Sequence, residues 1–134
     1  MLRRNRESEP GRPTEAELRI LQVLWTKGPS TVRDVHEQLR DAKDTGYTTT
    51  LKLLQTMHAK GLVRRNDEAR AHVFEAVSSR EEAQRGLVGD VLDLAFGGSA
   101  KALVMNALAS GRPSAQDLDE IRQEIERLQR EAKG

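Results

Sequence analysis

Between Tyr47 and Val63 the chain reads Y-T-T-T-L-K-L-L-Q-T-M-H-A-K-G-L-V, and its apolar positions are spaced for a helix. Thr50, Leu53, Leu54, Met57 and Gly61 fall at i, i+3, i+4, i+7 and i+11, which places them on one face for burial. The opposite stripe holds Thr48, Lys52, Gln55 and Ala59, flanked by Thr49 and Thr56, with no carboxylate anywhere between Gly46 and Val63. A solvated helix in so charged a chain normally carries Glu/Lys pairs. A hydroxyl-rich, acid-free face suits a surface that presents phosphates and base edges.

The same reading places further helices on either side. Thr14-Glu15-Ala16-Glu17 is a capping box opening a first helix, with Leu18, Leu21, Leu24 and Trp25 on its buried side and Gly28-Pro29 as its stop. Trp25 is expected as a core anchor. Thr31 with Asp34 caps a second helix, whose apolar side is Val32, Val35 and Leu39. Asp41–Gly46 reads as a polar loop. After Gly61, the segments Leu62–Arg65 and His72–Val77 are short and β-prone, separated by the turn N-D-E-A-R-A. They predict a two-stranded basic hairpin carrying Arg64, Arg65, Arg70 and His72, which must pack on helices because two strands alone are marginal. Two helices, an acid-free helix and a basic hairpin follow the order of a winged helix-turn-helix, with the third helix in the major groove and the hairpin at the backbone.

Beyond the hairpin the pattern is helical to the end. Ser79 with Glu82 opens a segment dense in apolar residues, from Leu87, Val88, Val91 and Leu92 to Phe96, and Gly97-Gly98 breaks it. Ser99 starts a short helix with Leu103, Val104, Met105 and Leu108, which Gly111-Arg112-Pro113 ends. Ser114 with Asp117 caps a last helix in which Leu118, Ile121, Ile125 and Leu128 form a coiled-coil-like seam over about one and a half heptads. Three short helices this apolar make a poor core alone. Pairing with a second copy through Leu87, Val91, Leu92, Leu103, Val104, Leu108, Leu118, Ile121, Ile125 and Leu128 is the expected solution; folding back on the N-terminal domain is the alternative. The predicted class is therefore mainly α with a small β-hairpin. Residues 1–12 form a disordered basic tail, 13–78 a winged helix-turn-helix and 79–134 a helical dimerisation domain.

Composition narrows the rest. In 134 residues there is no cysteine, which fits a reducing, cytoplasmic setting and removes thiolate metal sites and thiol catalysis. Aromatic residues are 3%, so Leu, Val, Ile and Ala must build the core. No apolar run approaches a membrane span, and Met1–Pro13 lacks the apolar region of a signal peptide. The formal net charge of +1 is uneven: residues 1–78 carry 14 Lys/Arg against 11 Asp/Glu, and residues 79–134 carry 8 against 10. His36, His58 and His72 lie on three different elements, with no metalloprotease motif, calcium loop or Gly-rich phosphate loop. Asp90 and Asp93 read as a solvated face. No catalytic residue, metal or cofactor is expected.

Taken in order, T-E-A-E-L-R-I-L-Q-V-L-W, T-V-R-D-V-H-E-Q-L, the acid-free helix, the wing, V-S-S-R-E-E and F-G-G-S-A-K-A-L-V-M-N resemble the BlaI/MecI/CopY family of bacterial transcriptional repressors. The resemblance covers Pro13–Lys133. It implies a homodimer that binds a dyad-symmetric operator in double-stranded DNA and blocks transcription, in one branch of antibiotic-response genes. In that branch it also implies a membrane sensor-protease as an indirect partner, and cleavage of an Asn-Phe bond in the dimerisation region. The matching bond here is Asn106-Ala107, so a different release signal is expected. Some relatives carry Arg at the positions of Leu51 and Thr56, which implies operator contacts particular to this chain. The copper-responsive branch uses C-terminal cysteines, which are absent.

Thr48, Thr49, Leu51, Lys52 and Gln55 are the expected base readers. Lys52 suits guanine O6/N7, Gln55 suits adenine N6/N7, and Leu51 suits a thymine methyl. Thr56, Lys60, Arg64, Arg65 and Arg70 are the expected backbone contacts. Two rival readings are a winged-helix protein-interaction module and a ligand-responsive regulator with an effector site in the dimer region.

Overall fold

The computed structural model describes residues 12–39, 46–68 and 70–134. The expected N-terminal tail, apart from Arg12, and the expected loop Asp41–Gly46, apart from Gly46, lie outside the described residues. The chain divides into two compact units, Met1–Val88 and Gly89–Gly134. The division falls inside a helix, at a point the hydrophobic pattern does not mark.

In the N-terminal unit, helix α1 (Glu15–Lys27) opens with the expected capping box. Thr14 Oγ1 accepts from the backbone N–H of Glu17 at 3.2 Å, and Glu17 Oε1 accepts from Thr14 N–H at 2.9 Å. Strand β1 (Ser30–Thr31) leads into α2 (Val32–Leu39). There Thr31 Oγ1 accepts from Asp34 N–H, and Asp34 Oδ2 from Thr31 N–H. Helix α3 (Tyr47–Lys60) ends at Gly61, whose φ of 83° is left-handed. Gly61 N–H donates to the His58 carbonyl and Leu62 N–H to that of Met57, a Schellman ending that glycine permits without a Cβ clash. This turn aims the chain into β2 (Val63–Asn66), which pairs antiparallel with β3 (Val73–Ala76) in the register Arg64↔Glu75 and Arg65↔Phe74.

The hairpin is not alone, as the sequence had it. Ser30 and Thr31 pair with Phe74 and Val73, giving a three-stranded sheet in the order β1-β3-β2. Two residues are too few to show alternation, so β1 has no signature in the sequence.

One core joins these elements: Ile20, Leu21, Leu24, Val32, Val35, Leu54, Met57, Val63 and Phe74. Two expectations change. Ile20, absent from the predicted face of α1, is fully buried, whereas Leu18 and Trp25 only pack against the cluster's edge. Trp25 instead donates its indole N–H to the Ser78 carbonyl at 2.9 Å and lies under the Arg80 guanidinium, joining α1 to the start of α4 (Arg80–Ala95).

The C-terminal unit contains the end of α4, then α5 (Ala100–Gly111) and α6 (Ala115–Lys133). Ser99 caps α5, and Ser114 with Asp117 forms a capping box on α6, as the sequence predicts. None of the unit's apolar side chains is buried. Leu94 is 69% exposed and Met105 60%, and Val91, Val104, Leu118, Ile125 and Leu128 are also exposed. Leu92, Leu103, Leu108 and Ile121 are half-buried, as is Leu87 in the N-terminal unit. No described helix is long and apolar enough to cross a membrane.

Candidate nucleic-acid interface

Helix α3 is held by its buried side. Thr50, Leu54 and Met57 are buried, and the Thr50 hydroxyl reaches the Gly46 carbonyl at 3.4 Å. The outward side then presents Thr48, Thr49, Lys52, Gln55 and Thr56, all exposed. Leu51 differs: it is half-buried and packs against the core, so only its edge reaches the outer surface. The structure adds Tyr47 to this surface. It is 48% exposed, and its ring meets His36 of α2 edge-on at 5.7 Å. An exposed aromatic at the start of a helix is the signal that would have found it.

The start of α3 is unlike the other helix starts. Helices α1, α2, α4, α5 and α6 receive side-chain caps from Thr14, Thr31, Ser79, Ser99 and Ser114. Helix α3 has Gly46 at its N-cap with no side-chain bond, and no acidic residue in its first turn. Among the described residues no side chain takes its first N–H groups, and the positive end of its dipole suits an anion such as a phosphate.

Lys60 does not join this face. Its ammonium is held at 2.6 Å by Oε1 of Glu17, a carboxylate whose side chain is 3% exposed. The capping box accounts for Glu17 in the sequence, but its second partner lies 43 residues away and leaves no local signature. Lys60, expected among the phosphate contacts, thus ties α3 to α1 through Glu17.

The wing is less basic than its arginines imply. Arg64 pairs with Glu75 across the strands at 3.4 Å, and Arg65 Nε lies 2.8 Å from Asp67, which also has His72 Nε2 at 3.7 Å. Across residues 62–77, Arg64, Arg65 and Arg70 are balanced by Asp67, Glu68 and Glu75. Arg70 and, on α3, Lys52 have no ion-pair partner among the described residues. The neutralising acids are interleaved with the arginines, Asp67 and Glu68 in the turn and Glu75 on β3.

Elsewhere, Asn106 and Ala107 lie within α5 and are exposed. Asn106 Nδ2 donates to the Ala102 carbonyl at 2.9 Å. Ala107, Leu108, Gly111, Pro113 and Ile121, with the carboxylates of Asp117 and Glu120, line an open cleft of about 370 Å³ between α5 and α6. Among the described residues no group of His, Asp and Glu is arranged to hold a metal ion.

The sequence is also similar to known proteins. Residues 13–127 match the penicillinase repressor family. Over 117 residues the chain is 33% identical to the transcriptional regulator BlaI of Mycobacterium tuberculosis, in both strain H37Rv and strain CDC 1551, covering 86% of this chain and 83% of the relative. These relatives are regulators of transcription and not enzymes. The capped helices, the acid-free α3 and the wing are thus those of a transcriptional repressor, and the chain belongs to the penicillinase repressor family.

Proposed function

We propose that this repressor binds double-stranded DNA as a homodimer on a dyad-symmetric operator and blocks transcription by occupying it. Helix α3 enters the major groove. Thr48, Thr49, Lys52 and Gln55 face base edges there, with Leu51 at the rim, while Thr56, Arg64, Arg65 and Arg70 meet phosphates. The observation that carries this reading is the exposed face of α3: hydroxyl, amide and one ammonium without an ion-pair partner among the described residues, no carboxylate, and Gly46 in place of a capping side chain at its start. A protein-interaction helix would instead present an apolar outer stripe, whereas α3 buries Leu54 and Met57 and shows outward only Tyr47 and the edge of Leu51 among its large apolar residues.

Dimerisation is supported by the C-terminal unit, which has no buried apolar side chain and leaves much of its seam in solvent. A second copy offers the same seam in return. The regulated genes on this reading belong to an antibiotic response, in keeping with the family's description. The test is selection of duplexes from a random-sequence library, followed by footprinting of the tightest one. Two protected half-sites related by a dyad, about one helical turn or a multiple of it apart, are expected. A single asymmetric footprint, or no selected sequence, overturns the reading.

A further inference from the structure

The wing holds three arginines and three carboxylates, and the structure pairs two of each, Arg64 with Glu75 and Arg65 with Asp67. Asp67 is the centre of the arrangement: its Oδ1 lies 2.8 Å from Arg65 Nε and 3.7 Å from His72 Nε2. Glu75 stands opposite Arg64 in the strand register, at 3.4 Å. A carboxylate on a guanidinium occupies the donors that a phosphate would take. These pairs are exposed, with the side chains of Arg64 at 62% and Asp67 at 51%, so each is weak and exchanges readily.

Resting on the DNA-binding reading above, we propose that Asp67, with Glu75 in support, sets the backbone affinity of this repressor. Each acts as an internal phosphate mimic that must give up its arginine before the wing engages DNA. Asp67 thereby limits binding to any duplex, whatever its sequence. The limit matters because a genome offers a vast excess of non-operator sites, and backbone affinity is shared by all of them. The neutral wing leaves discrimination to the outer face of α3.

The experiment uses the full-length protein, a mixed-sequence 30-base-pair duplex and the duplex selected by the native protein. Asp67→Asn should tighten both about threefold, by analogy with the loss of an exposed ion pair. It should also steepen the fall of log K with log salt by about 0.9, the value for one more phosphate neutralised. Glu75→Gln should act the same way through Arg64. In an Arg65→Gln background, Asp67→Asn should lose most of its gain. An unchanged melting temperature identifies the gain as one at the wing surface.

No gain on either duplex, a gain confined to the selected duplex, or the same gain without Arg65 overturns the role of Asp67. Failure of the native protein to bind either duplex in a salt-dependent way is a different result. It overturns the DNA-binding reading itself.

Discussion

Single side chains on α3 and the wing have separable consequences. Lys52 is exposed on the outward stripe with no ion-pair partner among the described residues, whereas Arg70 sits in the turn of the wing. Lys52→Ala should weaken the selected duplex by roughly 1–3 kcal/mol and relax discrimination at one base position. Arg70→Ala should weaken selected and mixed duplexes alike and lower the salt slope. Competition gel shifts read both effects, and unchanged discrimination in Lys52→Ala would remove α3 from the groove. Lys60 gives the contrasting case. Replacing it with Met strands the Glu17 carboxylate, buried at 2% residue exposure, beneath α3. Removal of one partner of a buried pair costs several kcal/mol, and the 26% exposure of the Lys60 side chain reduces this to about 1–3 kcal/mol. Urea denaturation should show that loss, and the salt slope of DNA binding should not change. A slope lowered by about 0.9 with stability intact would return Lys60 to the phosphate contacts.

At the level of elements, the helices were legible because their ends are written locally. Thr14/Glu17, Ser79/Glu82 and Ser114/Asp117 each place cap and partner three residues apart, and the structure holds each reciprocal pair of hydrogen bonds. What escaped the sequence is non-local. Strand β1 exists only because β3 offers it a partner, and Glu17–Lys60 joins residues distant along the chain. Trp25 reads as a core residue by hydrophobicity, yet its indole N–H needs an acceptor, and the Ser78 carbonyl at the core's edge supplies one. At the α4 start, hydrogen bonds from the Ser79 backbone and then its side chain, with Arg85 adding charge attraction, hold the Glu82 carboxyl below the usual carboxylate range. A depressed folded value stabilises above the unfolded carboxylate's titration and is lost as pH falls through the folded one. Amide exchange at Ala83, whose N–H donates to the Ser79 carbonyl, should therefore quicken, relative to its intrinsic rate, as the medium becomes acidic. In Glu82→Gln that acid-driven step should vanish, and a step of equal size in the variant would dissociate it from Glu82.

For the whole molecule, the proposed function assigns DNA contact to the first unit and dimerisation to the second. The N-terminal unit has its own core and is expected to fold without a partner, whereas the C-terminal unit buries no apolar side chain within one chain. On α6, Leu118, Ile125 and Leu128 are exposed and Ile121 half-buried, all on the seam face, while Arg127 is engaged with Glu124 and Glu131 away from it. Arg122 and Arg127 are thus occupied within the helix, and the stripe of Leu118, Ile121, Ile125 and Leu128 is apolar. Replacing Ile125 and Leu128 together by Asp places two charges where a second copy's seam is expected. α6 should still form, because its capping box and ion pairs are untouched, but sedimentation at micromolar concentration should find mostly monomer. With α3 and the wing unaltered, binding to a single half-site should hold, whereas binding to the full dyad should fall by about 10²-fold or more, through lost bivalency alone. Equal losses on half-site and full site would locate the defect in the N-terminal unit. A double variant that still sediments as a dimer would show that the seam of α6 is not what joins the two copies.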